Sequence, residues 1–462
     1  MFKSSRTILV VALIARLFVF FVVLLSGLGL SHPLDSRAVK GGDSGQYLLL
    51  AENMVEHGAF SLREEPPYLP DTNRTPGYPL LLAGLYLIAG REHSPILIVA
   101  VQVVLSVLNV WLLIQIGKKL FTPTIANVAG LLYALAPATL IFTGLVMTET
   151  LFATLLLVSF YLLIQILNAS GRRLWGLAVA FSVCFAVGVY VRPIGLYALP
   201  IPLLATAVRL GWNRRTFVLL LTMVLVYVIS MSPWYLRNYG HYQTVVLSSL
   251  ASHNLFIYNV GSIEAHRQGI SWREAKDQLW AELEQRLAEL NITNPNEVQT
   301  SQVMDRLAIE HILADPLSAA FYQVTDMINS LRPGYSMAAI LTRDDPNDLG
   351  GEVQSGNLEA IVDSAPLELV IFGLMTIYYG VLYIATAIGG LLLVYRRQWY
   401  ILILCGLTPL WFMFQAGIAG NARFRAPVEG LLSLIAAAGL VWVAQFVMQR
   451  TSPVLRSKPH ST

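Results

Sequence analysis

Long runs without a single charged side chain leave this chain few folds to choose from. Pro95 to Gly117 is free of charge across 23 residues, Leu120 to Met147 across 28, and Thr150 to Gly171 across 22. Leu369 to Val394 and Gln398 to Ala422 repeat the pattern. A helix needs roughly 20 apolar residues to cross the hydrocarbon core. In lipid the backbone must satisfy its own hydrogen bonds, which helices do within one segment. The runs therefore predict an all-α polytopic membrane protein. Composition agrees: of 462 residues only 13% are charged, where a soluble domain carries about 25%.

Charge then orients the helices. Six short basic clusters fall between apolar runs: Lys3/Arg6, Lys118/Lys119, Arg172/Arg173, Arg209/Arg214/Arg215, Arg396/Arg397 and Arg450/Arg456/Lys458. They hold 14 of the 31 basic residues and none of the 28 acids. The positive-inside rule puts such clusters in the cytoplasm. With them as pins, the path has about ten spans, near 8–30, 95–117, 122–141, 148–168, 174–190, 193–209, 216–234, 367–395, 399–418 and 427–448. Both termini are then cytoplasmic, and a plasma (inner) membrane location is expected. The first run, Thr7 to Leu30, is long for a signal peptide and shows no small-residue cleavage site, so it reads as a retained span. Arg16, inside it, is expected to snorkel toward the cytoplasm. Tyr78 to Gly90 is apolar but only 13 residues long. It reads as an interfacial or re-entrant helix, because a crossing there would put Lys118/Lys119 outside.

The expected organisation is a first span (1–30), an outer catalytic loop with interfacial helices (31–94), spans 2–7 (95–234), an outer loop (235–366), spans 8–10 (367–448) and a cytoplasmic tail (449–462). In the second outer loop, Trp272 to Leu290 places apolar residues at helical spacing with charges between them. Asn291-Ile-Thr-Asn-Pro ends it, and Val303 to Leu313 predicts a second amphipathic helix. Cys184 and Cys405 lie in predicted spans and read as small packing residues. His93 and His253 read as solvated loop residues. Trp234, Tyr235 and Trp399 read as interface anchors. The short basic turns give nucleic-acid binding no support.

Chemistry concentrates in the first outer loop, Gly41-Gly-Asp-Ser-Gly-Gln-Tyr47, followed by Thr72-Asn-Arg-Thr-Pro-Gly-Tyr-Pro79. Glycines around Asp43 let backbone approach a ligand closely. Asp43 also precedes a predicted helix, Gln46 to His57, where an acid is a favoured N-cap. On local features either role is open. Glu149, in Met147-Thr-Glu-Thr, can orient substrate or complement a helix N-terminus.

The ordered set GGDSGQYLLLAENMVEHGAFS, NRTPGYPLLLAGLY, MTETLF, VRPIGL, SPWYLRNY and ARFRAPVEGLLSLIAAAGL resembles the GT-C polyprenyl-phosphate-sugar glycosyltransferases. Within them it is similar to the dolichyl-phosphate-mannose protein mannosyltransferase and lipid A aminoarabinose transferase group. The resemblance runs from the first span to the last. It implies transfer of a sugar, with inversion, from a polyprenyl-phosphate carrier to a lipid, glycan or protein acceptor outside the membrane. It also implies that Asp43 is the general base on the acceptor hydroxyl. Many relatives carry a second acid directly after this one. Ser44 stands there instead, so a divalent metal is possible but not favoured, and no cofactor is required. The donor phosphate calls for arginines at the outer border, whose geometry suits bidentate contact. Six stand there: Arg74, Arg192, Arg237, Arg332, Arg423 and Arg425. Tyr47, Tyr78 and Glu149 are candidates for positioning substrate. The competing readings are a flippase or transporter of a lipid-linked sugar, and an O-antigen ligase or polymerase-type enzyme.

Overall fold

The computed structural model describes residues 4–27, 43–329, 331–333, 366–416 and 422–451. Among these there is no strand. Segments 28–42 and 334–365, with Gly41 and Gly42 and the tail from 452 on, lie outside the described residues.

The chain opens with α1 (Ser5–Gly27) and, after the Asp43 loop, α2 (Ser44–Glu56). The next helix, α3 (Gly77–Leu120), is 44 residues long. It is two helices joined at a kink, because Gly90 adopts φ 72 and ψ 173. Few residues other than glycine tolerate that backbone. The kink separates the apolar stretch that begins at Tyr78 from the helix that follows it.

A bent pair follows, α4 (Pro123–Ala134) and α5 (Pro137–Thr143), at 55° to one another. Then come α6 (Glu149–Ile166) and α7 (Gly171–Val191). A 3-10 turn, Pro193–Ala198, leads into α8 (Pro200–Leu210), which is followed by α9 (Arg214–Tyr242). The membrane-length helices resume with α15 (Pro366–Tyr395), a shorter α16 (Trp399–Gln415) and α17 (Arg423–Arg450). Eight helices among the described residues are long and apolar enough to cross a membrane. The bent pair and α16 supply the other two of the ten expected apolar segments.

Between α9 and α15 lies a helical cap. It comprises α10 (Leu250–His253), a π-helical stretch Asn254–Val260, α11 (Gly261–Gln268), α12 (Trp272–Glu289), α13 (Glu297–Ala314) and α14 (Pro316–Asn329). Both amphipathic helices start at capping boxes, Ser271 with Glu274 and Asn296 with Gln299. The Asn296 cap starts α13 six residues before the Val303 of the sequence reading, since the box supplies two of the backbone partners a helix start lacks. Phe256, Leu279, Leu283 and Leu307 form the cap's own core. His311 ties three cap helices together. Its Nδ1 lies 2.9 Å from Glu264 and its Nε2 2.9 Å from Glu282. Ionised carboxylates only accept, so this geometry belongs to the doubly protonated ring.

Two expectations fail within the bundle. Arg16 does not snorkel: it is fully buried. Its guanidinium donates to Ser106 Oγ at 2.9 Å, to the carbonyls of Ala12 and Tyr133 at 3.4 Å each, and to that of Ala134. Tyr133 and Ala134 end α4 at the break, where carbonyls lack helical partners. An arginine with several donors satisfies them better inside the bundle than water could from its edge. Trp234 is no interface anchor either. It is buried, and its indole donates to the Leu247 carbonyl at 2.9 Å.

Candidate active site

One contact brings the two halves of the site together. Arg74 lies just before α3 and Arg192 just after α7. The helix ends approach so closely that a Cβ on Gly77 would sit 2.6 Å from the Tyr190 carbonyl carbon. Only glycine permits this approach, which explains the glycine of Thr75-Pro-Gly-Tyr-Pro. Upstream, Asp71 accepts from the Arg74 backbone N–H at 2.9 Å and fixes the turn that carries Arg74.

Asp43 occupies the N-cap position of α2, but its side chain makes no capping hydrogen bond. Its carboxylate instead meets Arg74 Nη2 and Arg423 Nη1, each at 2.6 Å. Arg423 continues to Glu149, Nε to Oε1 at 2.5 Å, and Glu149 Oε1 also takes Arg192 Nη1 at 2.6 Å. The result is a ladder of alternating charge: Arg74, Asp43, Arg423, Glu149, Arg192. Three guanidiniums face two carboxylates, so this group carries one positive charge in excess. Asp43 and Arg423 remain about a quarter open, at 23% and 24%, while Glu149 is sealed behind them at 1%. Burial alone would raise the Asp43 pKa. The nearby Arg423 and Arg74 charges outweigh it and hold the carboxyl below its usual range.

Neighbouring residues stiffen the ladder. Arg74 Nε donates to Gln46 Oε1 at 2.9 Å, and its guanidinium lies 5.1 Å from the Tyr47 ring centroid. Tyr47 meets Tyr78 edge-to-face at 5.2 Å, and Tyr78 donates to Gln102 at 3.0 Å. Gln102 in turn donates to the carbonyls of Thr143 and Leu145, and Ser44 donates to that of Val146 at 2.9 Å. The α5–α6 connection that delivers Glu149 is thereby bound to the Asp43 helix. Arg192 stacks over Phe424 at 5.0 Å and donates to Thr148 at 3.3 Å.

A cavity of about 2390 Å³ opens beside the ladder, and Asp43, Gln46, Tyr47, Arg74, Arg192 and Arg423 line it. The membrane-length helices give it an apolar flank, with Leu203, Val224, Trp411 and Phe414. Much of the remaining lining comes from the cap. Among the described residues no three His, Cys, Asp or Glu side chains are grouped to hold a metal.

Of the six arginines singled out, three converge. Arg237 packs against the Trp234 ring at 4.6 Å and donates to the Asp71 carbonyl at 2.7 Å, which ties α9 to the Arg74 loop. Arg425 is fully buried between α15 and α17, 3.9 Å from the Tyr379 ring centroid, and donates to Tyr383 and to the Leu331 carbonyl at 2.8 Å each. Arg332 is exposed. Tyr78 is fully buried behind Tyr47, and Glu149 lies behind its arginines. Neither lines the cavity.

His93 is exposed, though within α3 and not in a loop, and His253 is not a solvated residue. It is half-buried in the cavity wall, because the cap folds over it and presses Trp280 and Tyr258 against its ring. Sequence reasoning passed over Gln46, Asp71 and Thr148. Gln46 carried a signal, since it lies one helical turn from Asp43.

Residues 73–235, about a third of the chain, match the family model of Dolichyl-phosphate-mannose-protein mannosyltransferase. None of the curated proteins matches the chain. The archaeal oligosaccharyltransferase AglB from Archaeoglobus fulgidus, in complex with an inhibitory peptide and a dolichol-phosphate, has a similar structure. The TM-score is 0.53 at 14% identity, covering 98% of this chain and 52% of AglB. The apo form gives 0.53 at 15% identity, covering 99% and 53%. The chain thus spans about half the length of that enzyme. ArnT from Cupriavidus metallidurans bound to undecaprenyl phosphate has a TM-score of 0.40 at 15% identity, covering 99% of this chain and 82% of ArnT. In fold the chain is similar to this archaeal membrane enzyme, and the part that matches the mannosyltransferase family model carries three rungs of the ladder, Arg74, Glu149 and Arg192.

Proposed function

We propose that this protein transfers a sugar from a polyprenyl-phosphate carrier to an acceptor hydroxyl, on the extracytoplasmic face of the plasma membrane, with both termini in the cytoplasm. The observation that carries the reading is the charge ladder at one end of a large cavity. Its single positive excess matches one phosphodiester anion. A diphosphate-linked donor would leave the site net negative, which disfavours a ligase or polymerase of the O-antigen type. The apolar flank suits a polyprenyl chain, and AglB shows that a protein of this fold can be found with a dolichol-phosphate.

Asp43 and Arg423 are the open members of the ladder and meet the donor. As the phosphodiester arrives, Arg423 and Arg74 turn toward it. Asp43 then loses the cations that depress its basicity and becomes a better proton acceptor. The acceptor oxygen attacks the anomeric carbon from the face opposite the phosphate, and Asp43 takes the hydroxyl proton. The bond from carbon to phosphate oxygen breaks, inversion results, and the carrier leaves as polyprenyl phosphate. The arginines stabilise the charge that develops on the leaving group, usually a large term in such reactions. Glu149 holds Arg192 and Arg423 in place from behind.

A transporter would use charged or broken helices near the midplane. The bent pair is such a break, but Arg16 spends its donors on the carbonyls there. The test uses the purified full chain and labelled polyprenyl-phosphate sugars. Asp43→Asn should lower transfer by roughly 10²–10⁴-fold, the span of a positioned base. It should still be stabilised against heat by polyprenyl phosphate, by about 2.7 kcal/mol at a hundredfold excess over Kd. Undiminished transfer removes Asp43 as the base. Equal stabilisation by polyprenol removes the arginine cradle.

A further inference from the structure

The cavity has three chemically different walls, and the transferase reading uses only two. Every Lys or Arg in its lining, namely Arg74, Arg192 and Arg423, belongs to the ladder. The wall built by residues 245–323 contributes none. It mixes aliphatic side chains such as Val246, Leu255 and Met304 with serine, threonine, asparagine and glutamine, with Glu297 and Asp305, and with aromatic rings. Burial, with Lys276 and Arg74 nearby, lowers the pKa of His253, so its ring adds no positive charge at neutral pH.

Within this wall Trp280 and His253 lie 6.0 Å apart, ring centroid to ring centroid. Asp305 shares a hydrogen bond with Ser252, the neighbour of His253. Asp305 makes no salt bridge among the described residues. Glu297 Oε2 accepts from Thr72 N and Oγ1, at 3.1 and 3.2 Å, which ties Glu297 to the Arg74 loop, whereas Asp305 lies beside His253 on the same wall as Trp280.

From this wall we infer that the acceptor is an uncharged carbohydrate, seated on Trp280 and His253 with its hydroxyls on Asp305. The inference rests on the transferase reading and names its second substrate. A sugar ring has an apolar C–H face that packs on an aromatic face, and a rim of hydroxyls. A carboxylate has two oxygens that only accept, which suits paired hydroxyls. Amide and hydroxyl side chains complete such a site without charge. An anionic acceptor would bring like charge against Asp305 and Glu297. A lipid chain laid on this wall would press hydrocarbon against the Asp305 carboxylate and leave it without a donor.

Saturation-transfer NMR on the full chain in nanodiscs tests this with named probes. They are mannotetraose, maltotetraose, cellotetraose and chitotetraose as neutral oligosaccharides, tetragalacturonate as an anionic one, and a serine/threonine-rich peptide. At least one neutral oligosaccharide should bind. Asp305→Asn should weaken it about tenfold, the cost of one hydrogen bond to a charged acceptor, and Trp280→Ala at least as much. Asp305→Asn changes little in shape and keeps the test in force if Trp280→Ala does not fold. Thermal stabilisation by undecaprenyl phosphate should be the same in both variants as in the wild type. The inference is overturned if no neutral oligosaccharide binds, if binding ignores both substitutions, or if tetragalacturonate or the peptide binds instead in a Trp280-dependent way. Failure of undecaprenyl phosphate to stabilise the wild type would instead strike at the transferase reading.

Discussion

Arg423 and Arg425 sit two residues apart in Ala-Arg-Phe-Arg and have opposite fates. Arg423 reaches Asp43 with Nη1 and Glu149 with Nε, and stays a quarter open to the cavity. Arg425 turns into the interface of α15 and α17. A lysine ammonium cannot span two carboxylates as a guanidinium fork does. Arg423→Lys should therefore raise the KM for the lipid-linked donor about tenfold, the loss of one charge-assisted contact. Arg425→Lys should lower the melting temperature and leave that KM alone. Steady-state kinetics and thermal melts on both variants decide it, and a KM effect confined to Arg425→Lys would reverse the assignment. Sequence could place both arginines at a helix border but could not say which faced inward. That depends on the start of α17, where the helix is interrupted by a 3-10 turn at 426–428 whose rotation no hydrophobic period encodes. Asp71 is a second residue that pattern could not flag. Burial and the neighbouring Glu297 push its pKa up to about 7. A carboxyl raised in the folded state contributes fully below its unfolded pKa of about 4, and that contribution is lost as pH rises through about 7. Asp71→Asn keeps an acceptor for Arg74 N and never ionises. It should match the wild type below about pH 4 and melt increasingly above it as pH rises to about 7, the range between the unfolded and folded pKa values. Parallel melting curves from about pH 4 to about pH 8 would show that folding does not raise the Asp71 pKa.

At the scale of elements, the spans were legible because lipid imposes a simple length rule, and the breaks in them less so. The reading of 122–141 as one span missed the bend between α4 and α5. Pro137 was the signal, since a residue before proline is driven toward extended backbone, and Ala136 adopts φ −63 and ψ 116. Nothing local says how the freed carbonyls are satisfied. That answer comes from Arg16, more than 100 residues away in sequence. Ser106 links the same guanidinium to Thr143 at the end of α5, at 3.1 Å, just before the connection that delivers Glu149. Arg16→Met should orphan the Ala134 carbonyl, at about 1–3 kcal/mol, while the Tyr133 carbonyl keeps the Ala136 N–H. A lower melting temperature is expected together with slower transfer, because the bend also sets where Glu149 stands. Arg16→Lys should recover part of both. If Arg16→Met melts like the wild type, water or a neighbour has replaced the arginine and the bend does not depend on it.

Across the whole molecule, charge is sorted by end. The helix ends that meet at the ladder are the starts of α2, α3, α6 and α17 and the end of α7. The ladder arginines there are paired with acids or packed on aromatic rings. The opposite ends carry the basic turns, where Arg209 lies over the Tyr400 ring at 5.5 Å and Lys119 over the Tyr161 ring at 5.8 Å. This sorting explains why a charge map could assemble distant residues at one face before any contact was known. It also makes orientation testable without any substrate. Cys184 and Cys405 are both free, the second buried and the first half-buried in a predicted span, so they give a low background for thiol labelling. Glu284 in α12 and Arg172 at the start of α7 are exposed, at the cap and at a basic turn. In sealed right-side-out vesicles a membrane-impermeant maleimide should label Glu284→Cys at once and Arg172→Cys only after detergent. Labels in the reverse order would turn the molecule over. The ladder and its cavity would then face the cytoplasm, and a donor presented on the outer leaflet could no longer be its substrate.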